Sequence, residues 1–407
     1  MNTVFTQDKD ILKLVDQIPK NKRYSDIEDV KGNQYIDFVQ EGGGVLGIAL
    51  VGYTYILEKA GIRFLSLAGT SAGAINTMMM AGLGEIQEAK SEKILKILSD
   101  QDLSELMDGP SFVKKIVKKL LQKGKPSLLW KLWNGYRVFR VLLKKCGINP
   151  GTFFESWISK ELRSNGINTL EDLYELRGKL PIGLKNITNG KEATNIEAKL
   201  AIITSDITTN TKTEFPRMAK LYWSEPNKVA PAKLVRASMS IPFFFEPFEI
   251  QNIPNTGSKN DQNWIDNAGY SGPVPPTVKF VDGGMLSNFP INVFHRKDGG
   301  IPRMPTFGVR LSTYRKNFNK TDSLLSISSS MISTMRQIHD YDFLLKNPDY
   351  KKLISSISAD KDPRFHWLDF NMSREHQQAL FNLGAEKAVE FLHSFDWESY
   401  KDLRKKA

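Results

Sequence analysis

The chain has a single cysteine, Cys146, in 407 residues. No disulfide can form within it, and such usage fits a reducing compartment. It also lacks any uninterrupted apolar run near the ~18 residues that span a bilayer. The opening stretch, MNTVFTQDKDILKLVDQIPK, carries acidic residues and no continuous apolar core, so a Sec signal is not expected. Spacings typical of metal ligands are missing, as are repeats and low-complexity tracts. These absences predict a cytoplasmic protein with no cofactor and no metal; export by a non-Sec route would leave no mark. What remains is an ordinary globular composition, 41% apolar, long enough for one large α/β domain with additions.

The first conspicuous stretch is Phe38 to Gly52, FVQEGGGVLGIALVG. Gly42, Gly44 and Gly47 fit the G-x-G-x-x-G pattern of a pyrophosphate loop, behind an apolar strand that begins at Tyr35. A dinucleotide site needs an acidic residue at the end of the second strand. Here that strand, Ile62 to Ala68, runs instead into Gly69-Thr-Ser-Ala-Gly73. G-x-S-x-G is the sequence form of a nucleophile elbow, in which Gly69 and Gly73 leave room for a sharp turn that pushes Ser71 outward. Acyl transfer at Ser71 would create an oxyanion, and a neighbouring glycine triplet can aim backbone N–H groups at it. The loop therefore reads as an oxyanion hole rather than a phosphate cradle.

A serine nucleophile needs a base. His295 lies in a Phe-His-Arg run just beyond a strand-and-loop region, while His339, His366, His376 and His393 fall in a helical-looking stretch with no small-residue turn around them; each reads as a surface or packing histidine. The stronger candidate is Thr277 to Gly284, TVKFVDGG. A β-branched and aromatic strand delivers Asp282 to the carboxyl end of a sheet, where α/β proteins place their active sites.

Three motifs in this order, GGGVLG, GTSAG and DGG, resemble those of the patatin-like phospholipase family. The neighbouring segments Ala237 to Pro247 (ASMSIPFFFEP), Asp282 to Pro290 (DGGMLSNFP) and Ile202 to Ile207 are similar too. The resemblance covers roughly Gln34 to Ser312. It implies a three-layer α/β/α sandwich with a mainly parallel central sheet, a helical insert and a helical C-terminal cap. It also implies a Ser–Asp dyad without histidine: Ser71 as nucleophile and Asp282 as proton acceptor. Gly43 and Gly44 would supply the oxyanion amides, with Gly42 and Gly47 shaping the loop. Family members often carry a basic residue after the triplet and an Asp before it. This chain has Val45 and Glu41, a departure that bears on rate or substrate while leaving the amides in place.

The expected organisation is a polar arm over residues 1–33, an acyl hydrolase domain over 34–320 and a helical region over 321–407. Core strands are expected near 62–68, 199–207, 277–282 and 305–311. Within the domain lie a basic helical insert, 85–180, and a polar loop, 252–276, read as either a lid or disorder. From Ser111 to Lys145 the insert has 11 Lys or Arg and no acidic residue, which accounts for the whole formal charge of +11. Phe112, Val113, Ile116, Val117, Leu120 and Leu121 fall on one side of a helical wheel, with Lys114, Lys115, Lys118 and Lys119 on the other. Trp130 and Trp133 follow. A basic amphipathic helix with interfacial aromatics is the pattern of a peripheral contact with an anionic membrane, although such helices more often bury their apolar face in their own core. Nothing else in the chain supports nucleic acid as a partner. The expected activity is phospholipid or lysophospholipid acyl hydrolysis. The alternative is a lipid- or partner-binding protein whose dyad is silent until an unidentified activator moves the insert or the 252–276 loop.

Overall fold

The computed structural model describes residues 3–112, 128–255, 257–296, 300–312, 318 and 321–406. Its centre is a mixed sheet. In chain order the elements that position the site are β1 (Gln34–Gln40), α1 (Ile48–Lys59), β2 (Ile62–Thr70) and α2 (Ala72–Gly82). Next come α3 (Leu128–Lys145), β3 (Leu200–Asp206), β4 (Thr211–Phe215), α4 (Pro231–Ser238) and β5 (Phe248–Gln251). They are followed by α5 (Ser258–Ala268), β6 (Thr277–Asp282), β7 (Thr306–Arg310), α6 (Leu324–Lys346), β8 (Ile354–Ser356) and α7 (Arg374–Ser394). Strands β3, β2, β1, β7 and β8 run parallel in that spatial order. β6 pairs antiparallel with β3, β5 with β6, and β4 with β3.

The parallel strands read as near-continuous apolar runs because both their faces are covered. Of the nine residues of β2, all but Arg63 are buried. α1 is buried over its length from Ile48 to Glu58 and therefore shows no polar stripe. It crosses α7 closely, with Gly52 against the Phe381 carbonyl and Gly384 against the Ala49 carbonyl. This is the α/β class expected from the sequence.

Two regions differ from expectation, and a third gains detail. The 252–276 stretch is not simply a loop, since it contains α5, whose Trp264 is fully buried and packs edge-on to Tyr222 at 5.2 Å. One large apolar side chain anchors a segment whose Asn- and Gly-rich composition hid the helix. The 321–407 region is more than a helical cap, because β8 extends the parallel sheet beside β7. The N-terminal arm is docked on the core: Phe5 and Ile11 are buried, and Lys22 Nζ donates to the Leu392 and His393 carbonyls at 2.8 Å.

Candidate active site

Ser71 sits between β2 and α2 at φ +52° and ψ −117°, a backbone conformation that L residues rarely adopt. Such strain costs on the order of 1–3 kcal/mol and persists where the surroundings enforce it. Here the Ser71 N–H donates to Ser238 Oγ at 3.0 Å, and Ser238 Oγ donates to the Ile203 carbonyl at 2.5 Å. The flanking glycines have no room for a side chain. A Cβ on Gly69 would lie 2.6 Å from Thr77 Oγ1, and one on Gly73 would lie 2.9 Å from the Glu41 carbonyl oxygen. The serine itself is buried, only 3% exposed.

Strand β3 brings the acid to the serine. Thr70, just before the elbow, pairs with Ile203; Asp282, at the end of β6, pairs with Thr204, the next position of β3. Asp282 Oδ1 accepts the Gly284 N–H at 2.7 Å. Oδ2 is buried and no donor meets it in full hydrogen-bond geometry. The Ser71 hydroxyl is nonetheless close enough to act on the carboxyl as a hydrogen-bonding neighbour. Contacts of this kind are often long or bent before substrate binds. Burial is the largest influence on the carboxyl and raises its pKa; the Arg336 guanidinium, Ser71 and Gly284 pull it back part of the way.

The glycine loop passes beside the elbow. Gly42 is clamped by Asn288, whose carbonyl accepts the Gly42 N–H at 3.1 Å while its Nδ2 donates to the Gly42 carbonyl at 3.2 Å. The Val45 N–H donates to the Trp367 carbonyl at 3.0 Å. Gly44, at φ +58°, lies against that same carbonyl, where a Cβ would collide. Among the described residues the N–H groups of Gly43 and Gly44 meet no acceptor. A Cβ on Gly47 would come within 3.1 Å of the Ala72 Cβ, so its absence lets the loop helix sit against α2. Glu41 is buried and fixes the start of the loop. It accepts from the Leu311 and Ser312 N–H groups at 2.7 and 2.9 Å, and from Arg310 Nη2 at 3.3 Å.

Residues 38–295 match the model of the patatin-like phospholipases. The chain belongs to the patatin-like phospholipase family. It is 29% identical over 366 residues to the uncharacterized protein YqhO of Bacillus subtilis strain 168, an alignment covering 89% of this chain and all of YqhO. Among solved structures it is similar to VipD from Legionella pneumophila, with 16% identity and a TM-score of 0.38 over 94% of this chain and 73% of VipD. It is also similar to the ExoU–SpcU complex of the Pseudomonas aeruginosa type III secretion system, with 16% identity and a TM-score of 0.36. That alignment covers 92% of this chain and about half, 52%, of the other.

In this patatin-like chain Ser71, Asp282, Gly43 and Gly44 open into one cavity of about 630 Å³. Most of its wall is apolar, from Val138 and Leu142 of α3, Ile148, Ile241 to Phe244, Met285, Trp367 and Leu368. Ser333 and Arg336 of α6 complete it. Sequence reasoning expected helix in this region but did not bring α6, Trp367 or Leu368 to the site. They lie beyond the stretch that carries the motifs, and no spacing in their own segments announces a site. The described residues of 252–276 do not line this cavity.

The four histidines with described side chains stay outside the cavity. His295, for example, shares a hydrogen bond of 2.9 Å with the Tyr350 hydroxyl and packs on Phe343. Lys114, Lys115, Lys118 and Lys119 lie outside the described residues. Trp130 and Trp133 fall in α3, and their side chains are likewise outside the description. Further along α3 the flank next to Val138 and Leu142 bears exposed apolar side chains, with Phe139 57% and Leu143 68% accessible. No described helix is long and apolar enough to cross a membrane.

Proposed function

We propose that this protein is a lipid acyl hydrolase of the phospholipase A or lysophospholipase type, working at a membrane surface through Ser71 and Asp282. One observation carries the reading: a strained, buried serine and a buried carboxyl with one oxygen short of a donor line the same cavity as two glycines whose amides have no acceptor among the described residues. Asp282 takes the Ser71 proton as Oγ attacks the ester carbonyl. The negative charge that develops on the carbonyl oxygen is met by the Gly43 and Gly44 N–H groups, and preorganised donors of this kind lower barriers by several kcal/mol. As the tetrahedral centre collapses, the proton passes from Asp282 to the leaving alcohol oxygen, leaving an acyl ester on Ser71. Water then enters, gives its proton to Asp282, and attacks the acyl carbon. The fatty acid departs and Ser71 recovers its proton.

The apolar cavity wall suits an acyl chain. The α3 segment joins that wall to a surface bearing Tyr136, Phe139, Leu143, Arg137 and Arg140, all exposed. Such a face can rest on an anionic interface while its other side receives the lipid. The test is covalent labelling by a fluorophosphonate with the modified residue mapped, together with fatty acid release from vesicles. Labelling at Ser71, and loss of turnover on the order of 10³-fold or more in Ser71→Ala, is the expected outcome. Equal background release by wild type and Ser71→Ala, with vesicle binding intact, would instead favour a binding protein with an idle dyad.

A further inference from the structure

The cavity around Ser71 contains two ionisable side chains among the described residues, Asp282 and Arg336. The first has a role in the proposed reaction. The second comes from α6, outside the stretch matched by the family model. The glycine loop offers no cation of its own, since Val45 is apolar and buried. Arg336 is half-buried and spends one donor, Nη2, on Asn288 Oδ1 at 3.0 Å. A guanidinium has five N–H donors, and among the described residues Arg336 makes no other hydrogen bond. Ser333 precedes it by three positions, which places its hydroxyl on the same face of α6, and it lines the same wall. A hydroxyl donor beside an under-used guanidinium, in a chamber whose wall is mostly apolar, is a site for one oxyanion.

We infer that Ser333 and Arg336 bind the phosphodiester of the lipid whose ester Ser71 attacks, and so favour phosphate-bearing lipids over neutral acylglycerols. This rests on the proposed hydrolase reading. A glycerophospholipid carries its phosphate a few bonds from the scissile ester, so both groups can occupy one cavity. A neutral acylglycerol would leave the remaining guanidinium donors desolvated with no hydrogen-bond acceptor from the substrate, which penalises binding.

The test compares kcat/KM for a lysophospholipid and for a monoacylglycerol with the same acyl chain, presented in the same neutral detergent. Arg336→Gln is expected to lower the ratio of the two about 10- to 100-fold, the range for losing a charge-assisted hydrogen bond. Arg336→Lys should restore part of it. Ser333→Ala removes only a hydroxyl and should lower the ratio by a smaller factor, about 3- to 10-fold; it keeps the test available if Arg336→Gln folds poorly. An unchanged ratio in both Arg336→Gln and Ser333→Ala, with Ser71 still labelled by fluorophosphonate, would overturn the inference alone. A wild type that turns over neither ester and is not labelled at Ser71 would overturn the hydrolase reading with it. Inorganic phosphate should leave monoacylglycerol hydrolysis unaltered. An effect that Arg336→Gln abolishes would assign the site to free phosphate and overturn the substrate assignment.

Discussion

Asp282 lies under opposing influences: burial lifts its pKa, while Arg336, Ser71 and Gly284 lower it. The net shift is upward. A base must be ionised to accept a proton, so the acid limb of kcat/KM should fall above the usual Asp pKa of about 3.9. Arg336→Gln removes the leading downward influence and should move that limb to higher pH, as a pH profile with a soluble short-chain ester would show. The same shift has a sign in stability. A carboxyl whose folded pKa is raised favours the folded state when protonated, and that contribution is lost as pH rises through the folded pKa. Asp282→Asn is therefore expected to abolish turnover while leaving the melting temperature at neutral pH unchanged or higher. A marked fall in melting temperature would mean that the carboxylate has a structural task instead.

At the scale of elements, α6 does more than line the cavity. Its Asp340 accepts from Ser287 Oγ at 2.5 Å and from the Phe289 N–H at 2.7 Å, on either side of the Asn288 that clamps Gly42. Burial pushes the Asp340 carboxyl up to about 7. Asp340→Ala leaves both donors buried without acceptors, a cost of about 2–4 kcal/mol, measurable by urea unfolding. Since its folded pKa is raised, the stability Asp340 contributes should be greatest in acid and decline as pH rises through about 7. Gly384→Ala should cost about 1–3 kcal/mol by pushing α7 away from α1 at their crossing.

The same elements show what the sequence made legible. Ser71, Asp282 and the Gly42 to Gly47 loop were legible because a sharp turn, a strand end and a close backbone approach each demand particular residues in a row. Arg336, Ser333 and Trp367 were not, because their place at the cavity comes from tertiary packing of ordinary helical and loop sequence. α5 was obscured by its Asn-rich composition, and only the burial of Trp264 explains why it is a helix.

At the scale of the whole molecule, several exposed apolar side chains lie on the elements that form the cavity. Tyr136, Phe139 and Leu143 come from α3, Met331 and Met335 from α6, and Phe243 from the wall itself. Exposed apolar groups interleaved with Arg137, Arg140 and Lys144 suit a lipid–water boundary better than bulk water. Replacing Phe139 and Leu143 together with Ser should weaken sedimentation with anionic vesicles several-fold and slow vesicle hydrolysis. Turnover of a soluble ester should change far less. Reversing Lys114, Lys115, Lys118 and Lys119 to Glu should act in the same direction and reduce the salt sensitivity of binding. Unaltered vesicle binding in both variants would mean that this region serves only the chain's own packing.

Strand β3 contains no group that the proposed chemistry consumes, yet Ile203 and Thr204 act as adjacent rungs, one aligned with the residue before the nucleophile and the other with the base. Slippage by a single rung would separate the two reactive atoms by the rise of one residue, ~3.3 Å. Fitness of this protein is thus exposed to substitutions in a seven-residue stretch that a search for reactive side chains would pass over.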